Sequence, residues 1–207
     1  MAVKHASETL LNLARGRRSH YVLTKALPAG VTNAHIQKVV QDSFLTTPSS
    51  FNSQPVRAVV LFGAEHDRLW DITSNTLKAI VPEDKWQPTG DKLALFKGGA
   101  GTVLFFTEEN TTKKFQEQFA LYADKFPHWA AQSAAMHQSL IWTALEADGL
   151  GANLQHYNPL IDDKVREAWK LPESWTLDAQ LVFGGRTQEP EPKDKLPVDE
   201  LVKAFGA

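Results

Sequence analysis

Residues 46–55 read Thr46-Thr47-Pro48-Ser49-Ser50-Phe51-Asn52-Ser53-Gln54-Pro55, and they lie between a helical pattern and the apolar run 56–62, which predicts a buried strand. The prolines fix φ near either end, and the serines and asparagine favour side-chain bonds to the local backbone. The stretch therefore predicts a stiff loop that presents hydroxyls, carboxamides and backbone amides to a flat ligand with polar edges. Each residue alone fits an ordinary connector better. The ordered combination P-S-S-x-N-S-Q-P before a strand is what indicates a binding loop.

The whole chain has the composition of one folded domain. It has 207 residues, of which 43% are hydrophobic and 22% charged, so we expect a single domain over residues 1–207. The net charge of -2 argues against a nucleic-acid partner, and the absence of cysteine excludes disulfides, a thiolate nucleophile and a cysteine-ligated metal. Residues 1–6 lack the apolar core of a signal peptide, and no run is long enough to span a bilayer. We therefore expect no membrane partner and a cytoplasmic location, with the nucleus also open.

Hydrophobic spacing predicts a mixture of helices and strands. Apolar runs predict strands over residues 56–62, 102–106 and 177–183, with a further short extended piece after residue 151. Helical spacing predicts helices that begin near Ser7 and Thr32, and others over residues 65–80, 111–126 and 129–148. We expect a loop over residues 83–90, Asp162 as the cap of a short helix, and a C-terminal helix, residues 198–205, that docks.

The run 129–148 is the strongest helical pattern, and Gly149 is expected to end it in the left-handed conformation. The run is apolar on several faces, which predicts burial in the domain core or in a subunit interface. Its His137 is interpreted as a core histidine. The preceding run carries an aromatic stripe, which suits core packing or a lid over a flat substrate. The members of this stripe are Phe115, Phe119, Tyr122 and Phe126.

No pattern indicates hydrolytic chemistry by the protein itself. The seven histidines have no H-E-x-x-H spacing and no G-x-S-x-G motif is present, so neither a metal site nor an α/β-hydrolase is supported. The glycines of residues 98–101 precede a strand instead of opening a helix, so they are not interpreted as a phosphate loop. Glu108 and Glu109 are interpreted as a solvated strand end. Enzymes without a protein nucleophile usually delegate the difficult step to a cofactor.

Four segments could contact one flat, anionic ligand: residues 17–19, 48–54, 153–155 and 193–195. The first offers two guanidiniums and a hydroxyl, the second a rigid polar edge, and the third backbone amides that follow a buried helix. In the fourth, Lys193 and Lys195 would point the same way in an extended chain and could hold a phosphate. On its own, the first segment is more simply interpreted as a solvated basic turn.

In order and content these segments resemble the FMN contacts of the nitroreductase family. In that family the basic pairs at both ends of the chain hold the phosphate and ring, the P-S-S-x-N-S-Q-P loop comes from the partner subunit, and a backbone amide after the long helix faces flavin N5. The resemblance covers nearly the whole chain, and residues 149–159 are most similar to the subgroup related to the fatty-acid-repression-mutant protein. It implies a cofactor site of Arg17, Arg18, Ser19, Tyr21, Pro48, Ser49, Ser50, Asn52, Gln54, Asn153, Leu154, Gln155, His156, Lys193 and Lys195.

The resemblance also implies a fold and a function. The fold is an α+β sandwich with a mostly antiparallel central sheet flanked by helices, assembled as an intertwined homodimer with FMN at the subunit interface. The function is ping-pong oxidoreduction, in which NAD(P)H reduces the flavin and a small aromatic acceptor, a nitroaromatic or a quinone, takes the electrons. Because the flavin carries the chemistry, no catalytic residue and no metal is assigned. Phe115, Phe119 and Tyr122 are expected to cover the acceptor.

The sequence departs from the family pattern at the flavin ring. Tyr21 stands where many members carry a basic residue, and Gln155-His156 replaces the common Glu-Gly, so Lys92 or Lys97 could supply the missing charge. Two other functions fit the same residues. One is a flavin-binding regulatory or sensing protein in lipid or stress metabolism with weak turnover. The other is an interaction protein on the same scaffold that binds no FMN.

Overall fold

The computed structural model describes residues 6–206, so the signal-peptide prediction lies almost entirely outside the described residues. The helices are α1 (Ala6–Gly16), α2 (Asn33–Thr46), α3 (Gly63–Lys78), α4 (Trp86–Lys97), α5 (Glu109–Gln118), α6 (Phe126–Ala147), α7 (Asp162–Trp169) and α8 (Val198–Leu201). The strands are β1 (Leu23–Thr24), β2 (Val56–Phe62), β3 (Gly101–Glu108), β4 (Leu150–Gln155) and β5 (Trp175–Arg186). Within the described range, no helix is long and apolar enough to cross a membrane.

One antiparallel sheet organises the fold. Strand β5 pairs with β3 on one side and with β4 on the other, and β2 lies outside β3. Strand β1 adds two residues beside the end of β5. All five named strands pair antiparallel, and a single parallel bridge joins Ser19 to Ala152. The predicted strands and the mostly antiparallel α+β sheet are confirmed.

Helices cover both faces of the sheet because neighbouring residues of a buried strand point to opposite sides. Phe106 of β3 packs on one face in a cluster with Trp70 of α3. Its neighbour Phe105 packs on the other face with Ile36 of α2 and Ile141 of α6. Both clusters are fully buried, which makes the molecule a sandwich of helices, sheet and helices.

Two predicted element boundaries are wrong. The predicted loop 83–90 forms a short 3-10 turn followed by the first residues of α4, where Pro88 is tolerated because the first-turn N–H groups have no partner within the helix. The predicted helix 111–126 breaks at Phe119, whose φ of -126° and ψ of 62° are not helical. A 3-10 segment, Ala120–Lys125, leads from this break into α6.

Two carboxylates also differ from the predictions. Glu108 is buried instead of solvated, and its side chain accepts hydrogen bonds from the backbone N–H groups of Asn110 and Thr111 at the start of α5. It therefore caps this helix. Asp162 is the first residue of α7 and makes no capping bond, so the predicted cap is wrong.

The C-terminal segment was predicted to dock, but its apolar side chains do not pack on their own chain. Helix α8 has four residues, and Val198, Leu201 and Phe205 are 73%, 61% and 93% exposed. Large apolar side chains that are exposed together mark a surface for another molecule.

Helix α6 has one core face and one free face. Ile141 and Leu145 are fully buried, and Gly149 ends the helix with a φ of 87°, as predicted. Met136 and Leu140 on the other face are 42% and 38% exposed. Helix α6 is therefore not buried on all faces within one chain, and its outer face is available to a second subunit.

We expect Gly101→Ala to destabilise the fold and Gly16→Ala to leave it nearly unchanged. A methyl group at Gly101 would meet the Leu61 carbonyl oxygen at 2.7 Å, and the Phe183 ring lies closer still. Both neighbours are buried in strands, so the strain costs about 1–3 kcal/mol. At Gly16 a methyl group would meet nothing within 4 Å. Urea unfolding at one protein concentration measures both variants, and equal midpoints would contradict this packing.

Candidate functional site

The N-terminal basic segment and the C-terminal tail meet in one cleft of about 400 Å³. Its lining is made of Arg18, Ser19, His20, Tyr21, Val22, Gln188, Glu189, Pro190, Glu191 and Lys193. The Arg18 guanidinium donates to the backbone oxygen of Glu191 and so ties the two segments together. Arg18, Ser19 and Lys193 thus bring two cations and a hydroxyl to one cavity.

Strand β4 fastens the N-terminal segment. Ser19 pairs with Ala152, and the backbone N–H of His20 donates to the Ala152 carbonyl over 2.9 Å. The Asn153 carboxamide donates to the His20 carbonyl over 2.7 Å, and Gln155 donates to the Asn153 side-chain oxygen over 2.8 Å. The first and third predicted segments therefore lie together. The buried carboxamides of the third segment attach the N-terminal segment to β4.

A buried carboxylate on α6 anchors the same segment, and the sequence prediction did not include it. Glu146 accepts hydrogen bonds from the backbone N–H of Arg18 over 2.8 Å and from the Trp142 indole over 2.7 Å. The His20 imidazole and the Arg186 guanidinium each lie 3.7 Å from it. Burial raises the pKa of Glu146, and the hydrogen bonds from Arg18 and Trp142 and the nearby Arg186 guanidinium oppose part of this effect. The only sequence signal was the i, i+4 spacing of Trp142 and Glu146 on a helix.

Arg17 contacts Trp142, whose indole donates to Glu146, and it is not among the residues that line the cleft. Its guanidinium sits over the Trp142 ring, 4.3 Å from the centroid. A cation–π contact at a partly exposed site contributes about 0.5–1 kcal/mol.

The loop 48–54 is closed on itself and has a strained backbone. Phe51, Asn52 and Gln54 have positive φ values of 55°, 53° and 49°. Left-handed non-glycine residues cost about 1–3 kcal/mol each, so surrounding contacts must offset this strain. One such contact is the Ser49 hydroxyl, which accepts a hydrogen bond from the Gln54 N–H over 2.9 Å.

The Phe51 side chain fixes the loop against an aromatic cluster. Its ring centroid lies 4.6 Å from Phe119, 5.9 Å from Tyr122, 5.6 Å from Phe126 and 5.8 Å from Trp129. Phe115 completes the cluster through Phe119 and Phe126, at 6.0 Å and 5.8 Å. Aromatic pairs at such distances contribute beyond their buried area. The aromatic stripe is thus packing for the loop, and Tyr122, which is 42% exposed, has the most free surface of the three predicted acceptor contacts.

The chain is similar to known proteins over most of its length. The Nitroreductase family profile matches residues 14–185, which contain the basic segment, the loop and β4. The chain belongs to the nitroreductase family. It is 40% identical to HBN1 of Saccharomyces cerevisiae over 201 residues, which cover 97% of this chain and 99% of HBN1.

Two further members of the family are similar to this chain over most of their length. Nitroreductase FRM2 of Saccharomyces cerevisiae is 38% identical over 183 residues, 88% of this chain and 91% of FRM2. Nitroreductase CinD from Lactococcus lactis, in complex with nicotinic acid, is 38% identical with a TM-score of 0.87, covering 95% of this chain and 99% of CinD. Other CinD structures contain chloramphenicol and 4-nitrophenol. The resemblance inferred from the sequence is confirmed.

Within one chain, the loop and the cleft lie at opposite edges of the sheet. The loop leads into β2, whereas the cleft segment bridges to β4, beyond β3 and β5. Three strand spacings of about 4.8 Å separate β2 from β4 by roughly 14 Å. Ser49 and Gln54 line a different cavity, of about 300 Å³, together with Arg57 and His137. Within one chain, the basic segment, β4 and Lys193 therefore lie together, and the loop lies away from them.

His137 is the buried histidine that the sequence predicted. Its Nδ1 atom lies 2.8 Å from the Ser133 carbonyl oxygen, and its ring packs 4.4 Å from the Phe44 ring. Burial lowers the pKa of His137, and the bond to Ser133 opposes this effect. The imidazole is therefore neutral near pH 7.

Several predicted residues lie outside the cleft. Leu154 is half-buried, and His156 and Lys195 are exposed without lining the cavity. Tyr21 does line it. The two lysines suggested as a replacement charge are engaged on α4, where Lys97 pairs with Asp71 over 2.6 Å and Lys92 lies over the Phe96 ring. Neither lysine lines the cleft of its own chain.

Proposed function

We propose that this nitroreductase is an FMN-dependent oxidoreductase that uses NAD(P)H to reduce small aromatic acceptors such as nitroaromatics and quinones. The observation that carries the proposal is the cleft in which Arg18, Ser19 and Lys193 face one cavity beside β4. Two cations and a hydroxyl form the donor set that suits a phosphate monoester. The residues present therefore fit the phosphate of FMN.

Each segment would have a separate task. Arg17, Arg18 and Lys193 would bind the phosphate, and Ser19 would donate a hydrogen bond to it. FMN supplies the two-electron chemistry when bound. The carboxamides of Asn153 and Gln155, already engaged with the scaffold, would keep the N-terminal segment in register with β4.

We propose that the loop 48–54 serves the cleft of a second copy of the chain, in an intertwined homodimer with two shared sites. The separation of roughly 14 Å across the sheet supports this arrangement, because the loop cannot move to its own cleft without breaking β2. The loop also keeps a strained conformation while Pro48, Asn52 and Gln54 remain exposed. Strain of this kind is characteristic of sites that bind a ligand.

Exposed apolar surfaces support the same dimer. Leu10 and Leu11 of α1 are 63% and 52% exposed. Helix α1 contacts α6, on which Met136 and Leu140 are also exposed. An open groove of about 730 Å³ along α2 and β2 has apolar residues, including Val60, in its wall. The apolar C-terminal segment of a partner would fit such a groove. A two-fold dimer covers the same surfaces on both subunits.

We propose small aromatic molecules as acceptors because CinD, 38% identical to this chain, has been solved with 4-nitrophenol and nicotinic acid. Tyr122 is the exposed ring nearest the loop and would offer a stacking surface. Phe115 and Phe119 would support that surface from behind.

We expect FMN to co-purify with the protein without a covalent bond, and the absence of cysteine removes one type of covalent flavin linkage. Denaturation should release free FMN into the supernatant, and NADH or NADPH added without oxygen should bleach the flavin absorbance of the native protein. Protein that stays colourless after incubation with excess FMN would overturn the proposal. Flavin that neither NADH nor NADPH reduces would favour a sensing protein instead.

A further inference from the structure

We infer that Glu146 and Trp142 are positioning residues: one carboxylate sets both the backbone of Arg18 and the side chain of Arg17 for phosphate binding. This inference rests on the proposed function. Neither Glu146 nor Trp142 lines the cleft, so both would act through the two arginines.

The two carboxylate oxygens have separate partners. One accepts the Arg18 backbone N–H over 2.8 Å, and the other accepts the Trp142 indole N–H over 2.7 Å. The indole has no other polar atom, so this bond fixes the plane of the ring. That ring carries the Arg17 guanidinium, 4.3 Å from its centroid. Glu146 therefore fixes two consecutive residues of the basic segment: the backbone of Arg18 directly, and the side chain of Arg17 through Trp142.

Hydrogen-bond donors and neighbouring basic side chains stabilise the ionised form of Glu146, and burial opposes them. The Glu146 side chain is 2% exposed, and the charged or titratable groups that face it are His20 and Arg186. Arg186 is itself held by the backbone oxygens of Leu150 and Glu146. Both carboxylate oxygens accept hydrogen bonds, and these bonds are stronger when the acceptor is charged. Protonation of Glu146 would therefore weaken its hold on Arg18 and Trp142.

The chain contains a matched control for this arrangement. The Trp169 indole donates to Glu65 over 2.8 Å, and the Arg68 guanidinium lies 5.4 Å from the Trp169 ring centroid. This Glu-Trp-Arg group joins α3 to α7 and does not line the cleft. Glu65→Gln and Trp169→Phe thus repeat the same chemical changes away from the site.

We expect Glu146→Gln to raise the FMN dissociation constant at least about tenfold, as befits one lost charge-assisted bond. Trp142→Phe keeps a ring beneath Arg17 and should cause a smaller rise, whereas Trp142→Leu should approach or exceed the effect of Glu146→Gln. Glu65→Gln and Trp169→Phe should each change the FMN dissociation constant less than about twofold. Quenching of FMN fluorescence by apo-protein measures the dissociation constants of the five variants and of wild type.

The pH profile separates positioning from a merely structural role. Burial raises the pKa of Glu146, so wild type loses its carboxylate as pH falls through that raised value. The ratio of the Glu146→Gln constant to the wild-type constant should therefore be largest near neutral pH and shrink toward one in acid. Protonation of the FMN phosphate cancels in this ratio. A ratio that is independent of pH would overturn the inference.

An independent measurement on apo-protein tests the bond itself. In a 15N-labelled sample, Glu146→Gln should shift the Trp142 indole N–H resonance. A shifted indole with unchanged FMN affinity would overturn the inference and leave the proposed function standing. Wild-type protein that binds no FMN would overturn the proposed function itself.

Discussion

Mixing two inactive variants of this protein is expected to restore up to about half of the wild-type activity per heterodimer. One variant carries Ser50→Trp and Asn52→His in the loop, and histidine is among the residues that tolerate positive φ. The other carries Arg17→Ala and Lys193→Ala in the basic segments. Each homodimer should have two damaged sites, because both of its chains carry the same lesions. In the proposed dimer, the loop and the basic segments of every site come from different chains. In a heterodimer one site collects both lesions and the other collects none.

Joint unfolding and refolding of the two variants, followed by NADH oxidation with a nitroaromatic acceptor, measures this effect. Differently tagged chains show how much heterodimer forms. As a control, refolding each variant alone should restore nothing. A mixture that contains heterodimer but is no more active than its components would place the whole site within one chain.

The double variant Lys193→Ala/Lys195→Ala should bind FMN at least about a hundredfold more weakly than wild type, with little change in fold. Each lysine lost from a phosphate removes a charge-assisted bond of about 1.5–3 kcal/mol. Residues 189–197 are exposed or nearly so and belong to no helix or strand, so the stability of the core should not change. Titration of apo-protein with FMN measures the affinity, and urea unfolding checks the fold.

The single variants and a control pair make this test sharper. Lys193 lines the cleft of its own chain and Lys195 does not, so Lys193→Ala should account for more of the loss. Lys38 and Lys113 are exposed helix lysines in i,i+4 pairs with Asp42 and Glu109, so Lys38→Ala/Lys113→Ala controls for the change in net charge. Equal affinities for the tail variant and this control variant would show that the tail does not hold the phosphate.

The elements that could be predicted from the sequence are those whose signals are local. Apolar runs bounded by turn residues predicted β2, β3 and β5. Thr32 and Gly149 have the predicted roles, since the Thr32 hydroxyl accepts the His35 N–H and Gly149 takes positive φ. The proline-bounded loop was predictable for the same reason, because proline and small polar side chains restrict the backbone without help from distant residues.

The failed predictions concern residues whose state depends on distant partners. The aromatic spacing of residues 111–126 is helical, yet Phe119 leaves the helix and its ring packs against Phe51, which lies far away in sequence. Aromatic packing outweighed helical propensity at that residue. Glu108 was expected in solvent because its charge alone is visible in the sequence, whereas its helix-capping bonds require the folded chain.

By itself, the sequence determined the family, the sheet-forming runs and the identity of the basic and polar segments, because these depend on residue type and near-neighbour spacing. Only the tertiary structure decided which segments share a cavity. It brought Arg18 and Lys193 into one cavity beside β4 and placed the loop at the opposite edge of the sheet. It also placed Glu146 against the backbone of the basic segment. The physical reason is that strand order and helix packing set distances between residues far apart in the chain, and burial sets the charge state of a carboxylate such as Glu146.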